Sequence, residues 1–296
     1  MANPIKLSIH SILLATDLSD NSAVPLCYAA EFASICSAKL VLVHVLDPMV
    51  AGPVDLSSEL RNIADSAKAD LMRVSQSLLA AKGIASDVLV RYGNVRDVVF
   101  DAQQKNSAEM VVVGSSGKKV GHGRTLGSNA EAILRSMPCH VLVIGPNVKR
   151  RSLSENVARI LFPTDFSAVS LHALATAASL ATKFSATLTL LHVHDPYKLE
   201  NELACNQKLS QLAASTAEEF STPVEYFMRR GTAVDEILSF AQEKDVDFIV
   251  MGAHRGDLED GTRLHGLVSN VVRESRCPLL SVADISRPTS HPVLMN

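Results

Sequence analysis

The chain predicts an α/β protein in which one mostly parallel sheet is built twice. Three observations carry that expectation. Apolar runs of strand length alternate with helix-length stretches, aromatic residues are scarce, and the second half restates the first. With 296 residues, 47% of them hydrophobic and 20% charged, there is room for two cored domains. Only 4% are aromatic and tryptophan is absent, so Val, Ile and Leu must fill the interior, as they do in strands buried on both faces.

The duplication is read directly. ILLATDLS at 12–19 returns as ILFPTDFS at 160–167, an offset of 148 that also pairs Ser22 with Ser170 and LVHVLDP at 42–48 with LLHVHDP at 190–196. Further on the offset becomes 138, pairing Gly93 with Gly231, Gly114 with Gly252, Arg135 with Arg273 and Cys139 with Cys277. The second copy has therefore lost ten residues between its second and third strands. So long a period means a whole domain copied, not a solenoid unit. Domains are expected at 1–148 and 156–285, joined by the polar stretch NVKRRSLSEN at 147–156.

Each element of the first copy follows in order. An apolar run at 9–15 predicts a strand ending at Asp17, and small apolar residues at helical spacing predict a helix over 22–37. A strand at 39–46, a long helix at 56–82 and a strand near 86–91 come next. Gly93 is expected to turn the chain into a helix over 95–105, capped by Asn94, with Gly231 and Thr232 doing the same in the second copy. EMVVVG closes a fourth strand at Gly114; a helix near 129–136 and the strand HVLVI at 140–144 complete the unit. Strands separated by helices make βαβ units with right-handed crossovers. In such sheets ligands sit beyond the carboxyl ends of the strands, where the strand order reverses.

Charge and cysteine usage exclude several classes. With 28 basic and 31 acidic side chains the net charge is -3, which argues against general nucleic-acid binding. The five cysteines show no metal-ligand spacing, and Cys139 and Cys277 recur beside the last strands as packing residues. MANPIKLSIH carries no secretory pattern and no apolar run is long enough to span a membrane, so a cytoplasmic protein is expected.

The segment GSSGKKVGHGRTLGS at 114–128 is the candidate site. Its glycines would let backbone N–H groups approach an anion, Ser128 would open the next helix, and Lys118, Lys119 and Arg124 add three positive charges, with His122 close by. This suits a triphosphate, although the P-loop pattern is absent. The plainer alternative is a glycine-rich surface loop with solvated lysines.

Strand one ending in TDxS, the LxHV second strand and G-x2-G-x9-G-S before the last helix together resemble the universal stress protein family (UspA-like), here as a tandem member. The resemblance implies two Rossmann-like domains of the adenine nucleotide alpha hydrolase-like type. Each would have a five-stranded parallel sheet of order 3-2-1-4-5, with ATP, with or without magnesium, at the strand-one/strand-four switch point. It places Ala15, Thr16 and Asp17 against the adenosine, and Val45 with its backbone on adenine. Val113, Gly114, Gly117, Lys118 and Arg124 would lie along the phosphates, and Gly127, Ser128 and Asn129 at the helix start. Ala15 stands where the family often has Pro, and Asn129 where Val is common. The resemblance also implies that the last strands of the two domains pair into an internal pseudo-dimer, and it leaves a further homodimer open.

The second copy departs from the motif. Gly117, Gly127 and Ser128 become Arg255, His265 and Gly266, and GDLEDGTRL at 256–264 is net -2 where the first copy is +3. Aligning Gly256 and Gly266 with the motif instead leaves Leu267 where Ser is wanted. Although Thr164, Asp165 and Val193 persist, the C-terminal domain is not expected to bind ATP in the same manner. Asp165 is expected only to cap the following helix, and Asp17 to meet the ligand. His44 and His192 are expected as hydrogen-bonded strand histidines, and His192-x-His194 is too little for a metal site.

No nucleophile motif, paired carboxylates or evident general base supports a specific reaction; slow ATP hydrolysis is the most that fits. The expected function is nucleotide-responsive stress regulation by a protein whose partner is an adenine nucleotide, not a nucleic acid or membrane. An adaptor with vestigial pockets or another small-molecule ligand is the alternative. An adenylating or pyrophosphatase enzyme would want an SGGxDS-like loop where this chain has ATDLSDNS.

Overall fold

The computed structural model describes residues 8–46, 57–115, 126–149, 153, 157–197, 201–253 and 261–283. Gly117, Lys118, Lys119, His122 and Arg124 lie outside the described residues, as do Asp257, Glu259 and Asp260.

The first half runs β1 (Ser11–Thr16), α1 (Ala23–Cys36), β2 (Lys39–Leu46), α2 (Ser57–Val74), β3 (Ser86–Tyr92), α3 (Val95–Lys105), β4 (Met110–Gly114), α4 (Ser128–Ser136) and β5 (His140–Ile144). The second repeats it as β6 (Arg159–Pro163), α5 (Ala168–Phe184), β7 (Thr187–His194), α6 (Glu202–Phe220), β8 (Val224–Arg230), α7 (Ala233–Glu243), β9 (Phe248–Ala253), α8 (Gly261–Glu274) and β10 (Leu279–Ala283). The long helix expected over 56–82 is broken. Past α2 it continues as a π turn, Ser75–Leu79, and a 3-10 turn, Ala80–Lys82. The equivalent α6 is 19 residues of unbroken α-helix. Seven of the ten missing residues are thus taken from this helix and three from the segment before it.

Within each half the strand order is 3-2-1-4-5, and the two halves share one ten-stranded sheet, β3-β2-β1-β4-β5-β10-β9-β6-β7-β8. Every pairing is parallel except that of β5 with β10, which is antiparallel with Leu280 opposite Leu142. Antiparallel pairing of equivalent strands is what a two-fold axis through the sheet demands. Alternate strand residues feed two cores. Ile12, Leu14, Leu40, Leu42, Phe162 and Leu188 pack under α1, α2, α5 and α6, while Leu13, Val41, Val111, Leu161, Ile249 and Leu279 pack under α3, α4, α7 and α8. Both cores contain residues from both halves, so the hydrophobic interior crosses the β5–β10 seam. Phe32 of α1 meets Phe184 edge-on at 5.9 Å and Phe248 at 5.7 Å, which concentrates three of the few aromatics at that crossing.

The connection between the halves is more than a polar tether. The Asn147 amide donates to the Arg273 and Glu274 carbonyls, the Leu153 N–H donates to the Glu31 carboxylate, and Val148 and Leu153 are buried.

Turn chemistry matches expectation in one copy more than the other. Gly93 and Gly231 adopt φ of 140° and 148°, where a side chain would be strained. Asn94 caps α3 by accepting from the N–H groups of Arg96 and Asp97. Thr232 holds the same position but makes no such cap; its hydroxyl donates to Asp235 instead.

Candidate functional site

The carboxyl ends of β1, β2 and β4 converge because these strands are neighbours in register, with Thr16 opposite His44 and Ala15 opposite Val113. That register brings Ala15, Thr16, Asp17, Val45, Val113 and Gly114 to one strand end. The Gly127 N–H donates to the Ser115 carbonyl at 2.7 Å, and the Ser115 N–H to the Ile144 carbonyl at 2.9 Å. These two bonds hold the start of α4, with Gly127, Ser128 and Asn129, against the end of β4.

The glycines there serve by size. Gly127 has φ of -62°, an ordinary value, and a Cβ on it would sit 3.1 Å from the Ser115 carbonyl oxygen. A Cβ on Gly114 would meet Pro25 of α1 at 3.0 Å, and one on Gly252 would lie 2.6 Å from the Val169 carbonyl oxygen of α5. The recurrence of this glycine in both copies is therefore explained by close helix–strand approach.

The first turn of α4 is the electropositive part of the site. Gly127 is the N-cap and offers no side chain. The first intrahelical bond is Glu131 N–H to the Gly127 carbonyl, so no helix carbonyl can take the N–H groups of Ser128, Asn129 and Ala130. Their dipoles and that of the helix favour an anion. Glu131, the acid in this turn, is paired with Arg135 at 2.6 Å.

Asp17 is locked in place. Its Oδ1 accepts from the Ser19 N–H (3.1 Å), the Ser19 hydroxyl (2.7 Å) and the Ser22 hydroxyl (2.7 Å). Leu18 between them has φ of 57°, costly for a branched residue, and the Thr16 hydroxyl oxygen accepts its N–H. Phe166 repeats this at φ 60°. Sequence reading missed both residues, since neither is a type that favours left-handed backbone.

The second copy is wired differently from the same residues. Ser170, the partner of Ser22, donates to the Thr164 hydroxyl oxygen at 2.8 Å and not to the aspartate. Asp165 is exposed and accepts from the Ser167 N–H at 3.0 Å. The expectation that Asp165 caps the helix is corrected here. The cap of α5 is Ser167, whose hydroxyl accepts from the Ser170 N–H, while Asp165 only closes the preceding turn. The histidines behave as expected in both copies. Nδ1 of His44 lies 2.8 Å from the Thr16 carbonyl and that of His192 2.8 Å from the Thr164 carbonyl. A carbonyl only accepts, so Nδ1 carries the proton in each.

The larger difference is the last helix. α8 begins at Gly261, five residues before the position equivalent to the start of α4. Gly266, the counterpart of Ser128, is therefore inside the helix, where its N–H is already committed to the helical ladder. Nothing lies within 4 Å of a Cβ placed on it. Gly266→Ala is expected to stabilise the protein by about 0.5–1 kcal/mol, raising Tm by about 1–2 °C in a thermal melt. An unchanged or lowered Tm would contradict helix through this position.

The model of the universal stress protein family matches residues 8–145 and again 156–283. The chain belongs to the universal stress protein family. Relatives of this tandem family member include a universal stress protein of Mycolicibacterium smegmatis, 25% identical with 92% of this chain and 97% of that one aligned. Another from Synechocystis is 26% identical over 97% and 99% of the two chains. Among solved structures, a universal stress protein of Archaeoglobus fulgidus shares the fold with a TM-score of 0.76 at 22% identity, covering 92% of this chain and 98% of its own. Among the described residues no helix is long and apolar enough to cross a membrane, and no cluster of side chains could hold a metal ion.

Proposed function

We propose that the N-terminal half binds ATP, with or without magnesium, and that the protein is a cytoplasmic, nucleotide-responsive regulator of the stress response. One observation carries this reading: an uncapped helix N-terminus, with three N–H groups that no helix carbonyl can take, is held beside β4 at the reversal of strand order. The immobilised Asp17 carboxylate and Val45 on the neighbouring strand ends suit the nucleoside. The Gly117, Lys118 and Arg124 segment adds positive charge for the phosphates. The reading assigns no catalytic residue. A nucleotide that binds one conformer better shifts the population toward it by its differential affinity, and a partner then reads the altered surface.

Denaturing the purified full chain and analysing the supernatant by HPLC and mass spectrometry is expected to release an adenine nucleotide. Calorimetric titration of the stripped protein should then show one ATP site per chain. No released nucleotide together with no saturable ATP binding would remove this reading in favour of a non-nucleotide adaptor.

A further inference from the structure

The C-terminal half contains a cleft at the position equivalent to the nucleotide site. It measures about 80 Å3, room for a group the size of roughly three waters, and opens to solvent. We infer that it is a second binding site of different chemistry, one that takes the edge of an uncharged ring bearing a hydrogen-bond acceptor, the rest of the ring lying in the open mouth.

Three features of the cleft lead there. Its walls are apolar: Leu191, Val193, Ile237, Met251 and Leu267 line it, and Leu267 stands where the first copy has the polar Asn129. Its floor presents one directed donor. The Thr164 hydroxyl oxygen accepts both from the Phe166 N–H at 3.1 Å and from the Ser170 hydroxyl at 2.8 Å, which uses both lone pairs. The Thr164 proton must therefore donate. No acceptor for it is found among the described residues, although Thr164 is only 5% exposed. A buried donor left unused is costly, and a ligand acceptor would satisfy it.

Anions are disfavoured by the same geometry. The N–H of Gly266 is taken up inside α8, so the last helix does not offer here the free N–H groups that Ser128 and Asn129 offer in the first half. Among the described residues lining it there is no lysine, arginine or histidine to attract an anion, and the charged group there is Asp165, at the rim. Being exposed, that carboxylate contributes little attraction to a cation. Among the described residues, the cleft keeps the apolar, nucleoside-like part of the ancestral site and lacks the helix start that α4 offers to phosphates.

The test uses the full chain labelled at its methionine methyl groups, with the Met251 resonance assigned through Met251→Leu. Four probes of one ring each are titrated: acetophenone, ethylbenzene, benzoate and benzylammonium. Saturable shifts of Met251 are expected with acetophenone and, about three- to tenfold more weakly, with ethylbenzene, which lacks the acceptor. Thr164→Val should remove acetophenone's advantage over ethylbenzene. Thr164→Ser, which retains the hydroxyl, should restore it, and Ala233→Phe, which fills the cleft, should abolish the shifts. No saturable Met251 shift with any probe would overturn the inference. So would a charged probe bound at least as tightly as acetophenone, or an acetophenone preference that survives Thr164→Val in protein that melts as a folded chain. ATP titration of the same samples reports separately on the N-terminal site.

Discussion

Gly145→Ala is expected to lower Tm by roughly 5 °C, the consequence of about 3 kcal/mol of overpacking. Gly145 follows β5, and a Cβ there would lie 2.5 Å from the Val272 carbonyl oxygen of α8, closer than real contacts allow. The obstructing atom is backbone of the opposite half, so it cannot swing aside as the end of a side chain would. Relief requires the two halves to separate slightly along the β5–β10 seam. The adjoining connection should loosen with it, because Asn147 is bonded to the Arg273 and Glu274 carbonyls and Val148 is buried against the same interior. Limited proteolysis within 147–156 is accordingly expected to accelerate at least tenfold in the variant. At the equivalent place the second copy has Ala283, which is buried and donates its N–H to His140 Nδ1, so the seam tolerates a methyl group on one side only. A variant that melts and digests like the parent chain would mean that the halves do not pack as one body.

Much of this arrangement was legible in the residues. Periodicity located the strands to within two residues, because the central strands are continuous apolar runs bounded by Asp17 and Gly114, and the half-exposed edge strand β3 ends at Gly93. The family resemblance implied that the last strands of the two copies pair, and β5 and β10 do so. What escaped reading was local and depended on three-dimensional competition for partners. Ser22 and Ser170 are the same residue at the same place. Yet one bonds the aspartate and the other the threonine, and nothing in the neighbouring letters decides between two good acceptors. Leu18 and Phe166 take a left-handed backbone because the bonds around them over-determine it. The start of α8 was hidden for a different reason. Arg263, Leu264 and His265 suit a helix as well as a loop, and the helix runs through Gly266 back to Gly261. The degenerate motif was visible as a list of substitutions; that it costs the second half a helix terminus was not.

The N–H groups that α4 offers and α8 does not are where the proposed nucleotide site is most sensitive to charge. Ser128→Asp should weaken ATP binding by about a hundredfold while slightly stabilising the protein. Ser128 is the exposed first residue of α4. A carboxylate there interacts favourably with the helix dipole, worth about 0.3–1 kcal/mol, so the fold gains. Toward a phosphate held on the same N–H groups it is a like charge. Two unit charges 4 Å apart repel by about 4 kcal/mol in surroundings of intermediate polarity, and exposure to water reduces this to the ~2.7 kcal/mol that a hundredfold represents. Glu131 does not already impose that penalty, because it lies one turn along the helix and is neutralised by Arg135 at 2.6 Å. Ser128→Ala keeps the N–H groups and removes only a hydroxyl, and should change affinity less than tenfold. Gly266→Asp in the second half, within an existing helix, should leave ATP binding untouched. Opposite signs in stability and affinity separate this outcome from simple misfolding, which lowers both. Should Ser128→Asp bind ATP as tightly as the parent chain, measured by calorimetry on protein of equal or higher Tm, the phosphates do not rest on α4, and the nucleotide would have to be held elsewhere on the strand ends.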